Sequence, residues 1–249
     1  MIKKNGFVFM TFLSLMLLLS FSSVMAVQPF GASVTETRTE SSVADSPDSH
    51  DAFAGNVTEF DIFGYSITQA WQGYFGNVTG TIQLADSSDN VMYNWSLASP
   101  EGEIYAVNSS VVSWANVECF NFTSDTELNL SQLEESFNIA SDDVDGVDET
   151  FALLGAGSHD SFYTNSIEFT EGQCPNTRIY DNSGSGTDGS FEELLMYDPS
   201  NNALIFTSIL DEDVLGFDAG THDFQMIVLE DGHGTNLVGT NYYFYVELE

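Results

Sequence analysis

Short runs of alternating apolar and polar residues recur along this chain and restrict its fold more than any other feature. Alternation with a period of two places one set of side chains on the buried face of a β-sheet. Turn signals such as Gly76-Asn77 and Asp231-Gly232 separate the runs. Many short strands at this spacing predict an all-β fold, a β-sandwich of the Ig-like or jelly-roll-like kind. The clearest runs are 78–84, 91–97, 224–228 and 242–248.

One short helix is expected within this β-rich pattern. Ser131 is a residue type that caps helices, and Glu134 follows it three positions later. This spacing is typical of a capping box at a helix amino terminus. Leu133 and Phe137 would then share the apolar face of the helix.

The amino-terminal residues have the pattern of a secretory signal peptide. Lys3 and Lys4 precede an apolar run at 7–21, and Val24-Met25-Ala26 places small or β-branched residues before a cleavage point. A membrane anchor is the alternative, but the run is shorter than the roughly 20 residues that a bilayer span needs. We therefore expect a signal peptide at 1–26, a flexible polar leader at 27–55, a β-sandwich domain at 56–249, and no membrane span after cleavage.

The charge balance is extremely acidic. The chain has 38 acidic residues and four lysines and arginines, of which only Arg38 and Arg178 remain after signal cleavage, giving 2 − 38 = −36. Such a surface repels nucleic acid and anionic membranes, so neither is expected as a partner. Adaptation to a saline medium, divalent-cation binding and solubility each account for the acidity, and the absence of mature lysine favours the first.

Cys119 and Cys174 are the only cysteines, and both lie in the part expected to be exported. Two cysteines in an oxidising compartment usually form a disulfide. We therefore predict this bridge, with two buried free thiols as the alternative. A zinc site is not expected, because no histidine or further cysteine lies at ligand spacing.

Six Asn-x-Ser/Thr sequons occur, all in the first part of the predicted domain. An exported chain is glycosylated at such sites when its host has the machinery, and chance in an Asn- and Thr-rich composition is the alternative. Alternation places Asn94 opposite in phase to Tyr93 and Trp95, so Asn94 should face solvent. The candidate sites are Asn56, Asn77, Asn94, Asn108, Asn121 and Asn129.

A dense acidic run around Gly146 is the best candidate for a metal site. Calcium takes six to eight oxygen ligands, and closely spaced carboxylates around a glycine turn supply several of them. The spacing does not match an EF-hand loop, and a solvated acidic loop is the alternative. The candidate ligands are Asp142, Asp143, Asp145, Asp148 and Glu149.

No residue set has the pattern of a catalytic site. Ser158-His159-Asp160-Ser161 contains the residue types of a hydrolase triad, but sequence neighbours rarely meet as a triad, which favours a polar surface loop. A carboxylate pair that hydrolyses sugars stays open, because such pairs are assembled only in three dimensions. For Trp71, Trp95 and Trp114, alternation favours core packing over exposed sugar-binding surfaces.

The final stretch has the pattern of a closing hairpin. Residues 221–232, followed by the alternating run 242–248, resemble the end of exported β-rich proteins from small-genomed archaea, which have no established function. The resemblance implies a β-sandwich and a location at the cell surface or in the medium, and it transfers no catalytic residue.

Together these patterns favour an exported cell-surface or secreted protein with a structural or interaction role. Its partners would be further copies of itself, other cell-surface components, or glycans. The alternative is an extracellular glycan-binding module supported by calcium, and a carboxylate-pair hydrolase ranks third.

Overall fold

The computed structural model describes residues 28–43, 46–97, 99–180, 189–231 and 238–248. The predicted signal peptide, residues 1–26, lies outside the described residues. The strands are β1 (Phe30–Gly31), β2 (Trp71–Gly76), β3 (Thr81–Ala85), β4 (Val91–Ser96), β5 (Gly102–Val107), β6 (Glu118–Cys119), β7 (Phe162–Thr164), β8 (Ile167–Phe169), β9 (Asn176–Ile179), β10 (Phe191–Asp198), β11 (Ala203–Ile209), β12 (Val214–Leu215), β13 (Thr221–His222), β14 (Phe224–Leu229) and β15 (Tyr243–Leu248). The helices are α1 (Leu130–Ser136) and α2 (Val147–Thr150).

The main sheet has seven strands in the order β1-β15-β5-β11-β10-β6, with β9 also paired to β10. All of its pairings are antiparallel. The central strands β10 and β11 are buried on both faces, so Leu194–Tyr197 and Ala203–Phe206 form nearly continuous apolar runs. The two faces of this sheet therefore define two separate cores.

The β2–β14 pair covers one face of the main sheet together with the two helices. Phe151, Leu195, Phe206 and Val228 belong to the core on this side. The β7–β8 hairpin and Trp114 pack on the opposite face. These layers confirm the predicted all-β sandwich with a short helix.

A buried side chain joins the two layers at the edge of β14. The carboxylate of Glu193 on β10 accepts a hydrogen bond from the Ile227 backbone N–H at 2.9 Å. The Ser208 hydroxyl donates to the Gln225 carbonyl at 3.3 Å. Side chains of the main sheet thus satisfy backbone groups of β14 that β2 does not reach.

The predicted disulfide is confirmed. Cys119 and Cys174 are bonded, with a Cα–Cα distance of 4.9 Å and a sequence separation of 55. Cys119 lies opposite Met196 at the edge of the main sheet, and Cys174 is fully buried. The bridge therefore ties the long connection carrying both helices and the β7–β8 hairpin to the main sheet.

Helix α1 forms where it was predicted, but its cap differs. The Asn129 side chain accepts from the Gln132 N–H, and the Gln132 side chain accepts from the Asn129 N–H. Ser131 therefore lies inside the first turn, and its prediction as the cap was wrong. Leu133 and Phe137 are both buried, as expected from their shared face. The single-turn helix α2 was not predicted.

The carboxyl-terminal strands do not form the closing hairpin that their sequence suggested. β14 pairs with β2, whereas β15 lies between β1 and β5 in the main sheet. The chain thus passes from one layer to the other between them.

Part of the predicted leader contacts the domain. β1 pairs with β15 at the edge of the main sheet, and the Ala32 N–H donates to the Phe244 carbonyl. Arg38 forms an ion pair with Asp218 and lies over the Phe75 ring. Between residue 46 and β2, the described residues contain neither helix nor strand. None of the helices in the described ranges has the length and apolar character needed to cross a membrane.

Candidate functional site

The β3–β4 hairpin is the part of the described structure best suited to binding. In the described residues its strands pair only with each other, with Ile82 opposite Trp95 and Leu84 opposite Tyr93. Directly opposed residues point to the same side of a hairpin. These four side chains therefore form one surface, here named the hairpin face.

The hairpin face is open to solvent. Tyr93 is 58% exposed and Trp95 is 50% exposed, and Ile82 and Leu84 are exposed to a similar degree. The Tyr93 and Trp95 ring centroids lie 4.8 Å apart. The expected burial of Trp95 was wrong, because no second layer from the described part of the chain covers this hairpin. The alternation placed the side chains on one face correctly but carried no information about what covers that face.

The hairpin also lacks charge in an otherwise acidic chain. Neither strand contains an acidic or basic residue, although the chain has a net charge of −34. The turn that connects the two strands carries the carboxylates of Asp86 and Asp89. Hydrogen bonds from Asn90 and Ser88 lower the pKa of Asp86, so the turn keeps its negative charge. The uncharged, apolar hairpin face is thus bordered by a negatively charged turn.

The sequon asparagines lie mostly at the surface. Asn94 is exposed on the opposite side of the hairpin from Tyr93 and Trp95, so a glycan there would leave the hairpin face open. The Asn129 amide donates to the Ser124 carbonyl while its oxygen caps α1, so this asparagine has a structural role. The other exposed sequon asparagines are Asn56, Asn77, Asn108 and Asn121.

The acidic run around Gly146 does not come together as one group. Asp148 and Glu149 meet the buried Glu134 of α1, with one carboxylate oxygen from each within 4.8 Å of the others. Asp143 accepts from the Ala140 N–H, and Asp145 accepts from the Thr68 hydroxyl. Those two carboxylates therefore stabilise local structure.

Asp142, the remaining carboxylate of the acidic run, and Glu134, which was not among the predicted ligands, also bear on the candidate cation site. Asp142 is exposed and lies outside the three-carboxylate group. Sequence reasoning missed Glu134 as a candidate ligand, although its position three residues before Phe137 places it beside the apolar face of the helix. Burial raises the pKa of Glu134, and a hydrogen bond with Asp148 raises the pKa of Glu149. The group therefore favours uptake of protons or of a cation, but it supplies three carboxylates where calcium takes six to eight oxygens.

A second acidic arrangement lies buried between β5 and β15. Glu103 and Glu247 are directly opposite each other, and the Tyr105 hydroxyl lies 3.4 Å from Glu103 Oε2 and 3.3 Å from Glu247 Oε2. Burial and both carboxylates raise the pKa of Tyr105, which keeps it a hydrogen-bond donor. The Asn165 N–H donates to Glu247, so the network fastens the β7–β8 hairpin to the main sheet.

The triad-like sequence at 158–161 has a structural role. His159 is fully buried, which corrects its prediction as a surface residue. Its Nδ1 bonds the Asp160 carbonyl, and its Nε2 accepts from the Cys174 N–H. The Ser158 hydroxyl donates to the Gly155 carbonyl instead of facing the imidazole. Both ring nitrogens are thus engaged by the backbone beside the disulfide.

Comparison of the chain with protein-family models, curated proteins and solved structures found no match.

Proposed function

We propose that this chain is an exported protein of the cell surface or medium, with a structural or interaction role, and that the hairpin face is its binding surface. The observation that carries the proposal is the open apolar surface formed by Ile82, Leu84, Tyr93 and Trp95. At about half of the roughly 200 Å² of a large exposed side chain, each contributes about 100 Å². A contiguous patch of about 400 Å² is as large as the largest apolar patch of a typical soluble monomer, about 300–600 Å², and such patches are often functional.

Two features of the chain support the exported location. The Cys119–Cys174 bridge belongs to a class of bond that persists in oxidising compartments and is rare in the cytosol. The amino-terminal residues have the charge, apolar run and small-residue pattern of a signal peptide.

Fractionation of the producing cells tests the location. The protein is expected in the envelope or medium fraction, with Val27 as its first residue and with the disulfide formed. Recovery from the cytosol with residues 1–26 still attached would contradict export.

Paired substitutions test the binding surface. Tyr93→Ser/Trp95→Ser is expected to release the protein from the cell envelope into the medium, because it removes the two largest groups of the hairpin face. Met92→Ser is the matched control, since Met92 is an exposed apolar residue, 81% exposed, on the other side of β4. Equal retention of both variants, with unchanged thermal unfolding, would show that the hairpin face is not the binding surface.

A glycan-binding module supported by calcium is the second candidate function. The adjacent exposed rings of Tyr93 and Trp95 favour it, because aromatic faces stack on sugars. Calcium binding is proposed at Glu134, Asp148 and Glu149, whose clustered carboxylates favour a cation. A glycan array in calcium-containing buffer is expected to give signals that Trp95→Ala or a chelator abolishes. An array without signal would remove this candidate.

A further inference from the structure

A second exposed apolar stretch lies between the predicted leader and β2. Residues 57–67, here named the 57–67 segment, have no strand partner among the described residues. Phe63 is 91% exposed, Tyr65 is 51% exposed and Ile67 is 46% exposed. These three residues alternate with Gly64 and Ser66, so in an extended chain they point to one side. The segment thus has the sequence of a strand but joins no sheet in the described part of the chain.

The second half of the 57–67 segment shares the lack of charge of the hairpin face, whereas Glu59 and Asp61 lie in its first half. Residues 62–67 contain no ionisable carboxylate or cation, and neither do β3 and β4. Two copies of a chain with net charge −34 repel each other over most of their surfaces. Contact between these two uncharged stretches avoids that repulsion, and added salt should strengthen it by screening the remaining charges.

The buried areas distinguish two ways in which copies can associate. If two hairpin faces packed on each other, about 400 Å² from each copy would give about 800 Å² in total, which is no more than a crystal contact buries. Phe63, Tyr65 and Ile67 together expose a further 400 Å² or so. Two reciprocal contacts of a segment on a hairpin face would bury about 1,600 Å², the standard size of a specific interface.

We infer that the hairpin face of one copy binds the 57–67 segment of a second copy. The inference rests on the proposed function and specifies a second copy of the chain as the partner that the hairpin face binds. Extended segments bind sheets by placing alternate side chains on an apolar surface and by pairing with free strand edges. In the described structure β3 and β4 each keep one edge without a partner strand, so both kinds of contact are available. The contact joins different surfaces, and in its reciprocal form it closes as a dimer that contains two such contacts.

Complementary variants test this inference by light scattering of the full chain in high salt at micromolar concentrations. The unmodified chain is expected to be a dimer or larger. Phe63→Ser/Tyr65→Ser and Tyr93→Ser/Trp95→Ser are each expected to be monomeric on their own. An equal mixture is expected to form complexes of two copies and nothing larger, at higher concentrations than the unmodified chain requires, because it keeps one of the two reciprocal contacts. All four substituted side chains are exposed, and unchanged thermal unfolding verifies that the variants are folded.

Single substitutions on the opposite sides are the matched controls. Ile62→Ser and Met92→Ser alter exposed apolar residues outside the contact and are expected to leave the mass unchanged. A monomeric unmodified chain in high salt, a mixture that stays monomeric, or equal dissociation by the controls would each overturn the inference. If the chain is monomeric while Tyr93→Ser/Trp95→Ser still releases it from the envelope, the partner of the hairpin face is not a second copy of the chain, and the proposed function stands. If the envelope retention is also unchanged, the proposed function falls as well.

Discussion

Removing the disulfide provides the sharpest test of how this fold is stabilised. The bridge closes a loop of 55 residues. In the chain-entropy model, the bridge lowers the conformational entropy of the unfolded chain and thereby stabilises the fold by about 4 kcal/mol. Cys119→Ala/Cys174→Ala should therefore lower the free energy of unfolding by about 4 kcal/mol. Alanine is preferred to serine because Cys174 is fully buried, and a buried hydroxyl would add its own cost.

Urea unfolding followed by tryptophan fluorescence measures this loss, and thermal unfolding gives a second estimate. For a domain of this size, each kcal/mol shifts Tm by about 2–4 °C, so a decrease of about 8–16 °C is expected. Reduction of the unmodified protein with dithiothreitol should reproduce the effect. The same treatment should leave the double variant unchanged, which separates loss of the bond from loss of side-chain packing.

The size of the loss decides whether the loop-closure argument holds. A loss below about 1 kcal/mol would refute it, because the connection between Cys119 and Cys174 would then be restricted even without the bond. If the free energy of unfolding falls by the full amount in the double variant but does not fall on reduction, the effect comes from packing around Cys174 and not from the bond.

Three further changes test individual contacts. Burial raises the pKa of Glu193 well above its ordinary value of 4.5. Protonation of Glu193 therefore stabilises the fold fully below pH 4.5, the ordinary pKa, and this stabilisation is lost as the pH rises. Glu193→Gln should therefore raise Tm relative to the unmodified protein increasingly from pH 4 to pH 8, as thermal scans across that range would show; a constant difference would contradict this. Tyr105→Phe removes the donor between Glu103 and Glu247 and should cost about 1–3 kcal/mol in urea unfolding, whereas a neutral result would show that these carboxylates do not depend on it. Asn129→Ala should cost about 1 kcal/mol by loss of the helix cap, and Ser131→Ala, in the same first turn, should change little.

The amino-acid sequence by itself indicated the fold class, the strands β3, β4, β14 and β15, the disulfide and the short helix, but not the central strands β10 and β11, whose apolar runs are continuous. Strand formation follows from a period of two, which is a local property and can be read without knowing the partner strand. The pairing of Cys119 with Cys174 followed because two cysteines allow only one intramolecular bridge. The helix was predicted from Ser131 and Glu134 as a capping box and from the shared face of Leu133 and Phe137. Its cap is instead Asn129, because the first turn begins two residues earlier.

Only the tertiary structure decided which apolar faces are covered. Val228 and Trp95 lie in similar alternating runs, yet Val228 packs against the main sheet and Trp95 faces solvent. Alternation shows which side chains share a face, but burial depends on a second layer that comes from distant parts of the chain. The same limit applies to Glu134, which meets Asp148 and Glu149 only because α1 and α2 pack together. The hairpin face therefore became a candidate binding surface only once the layers of the sandwich were known.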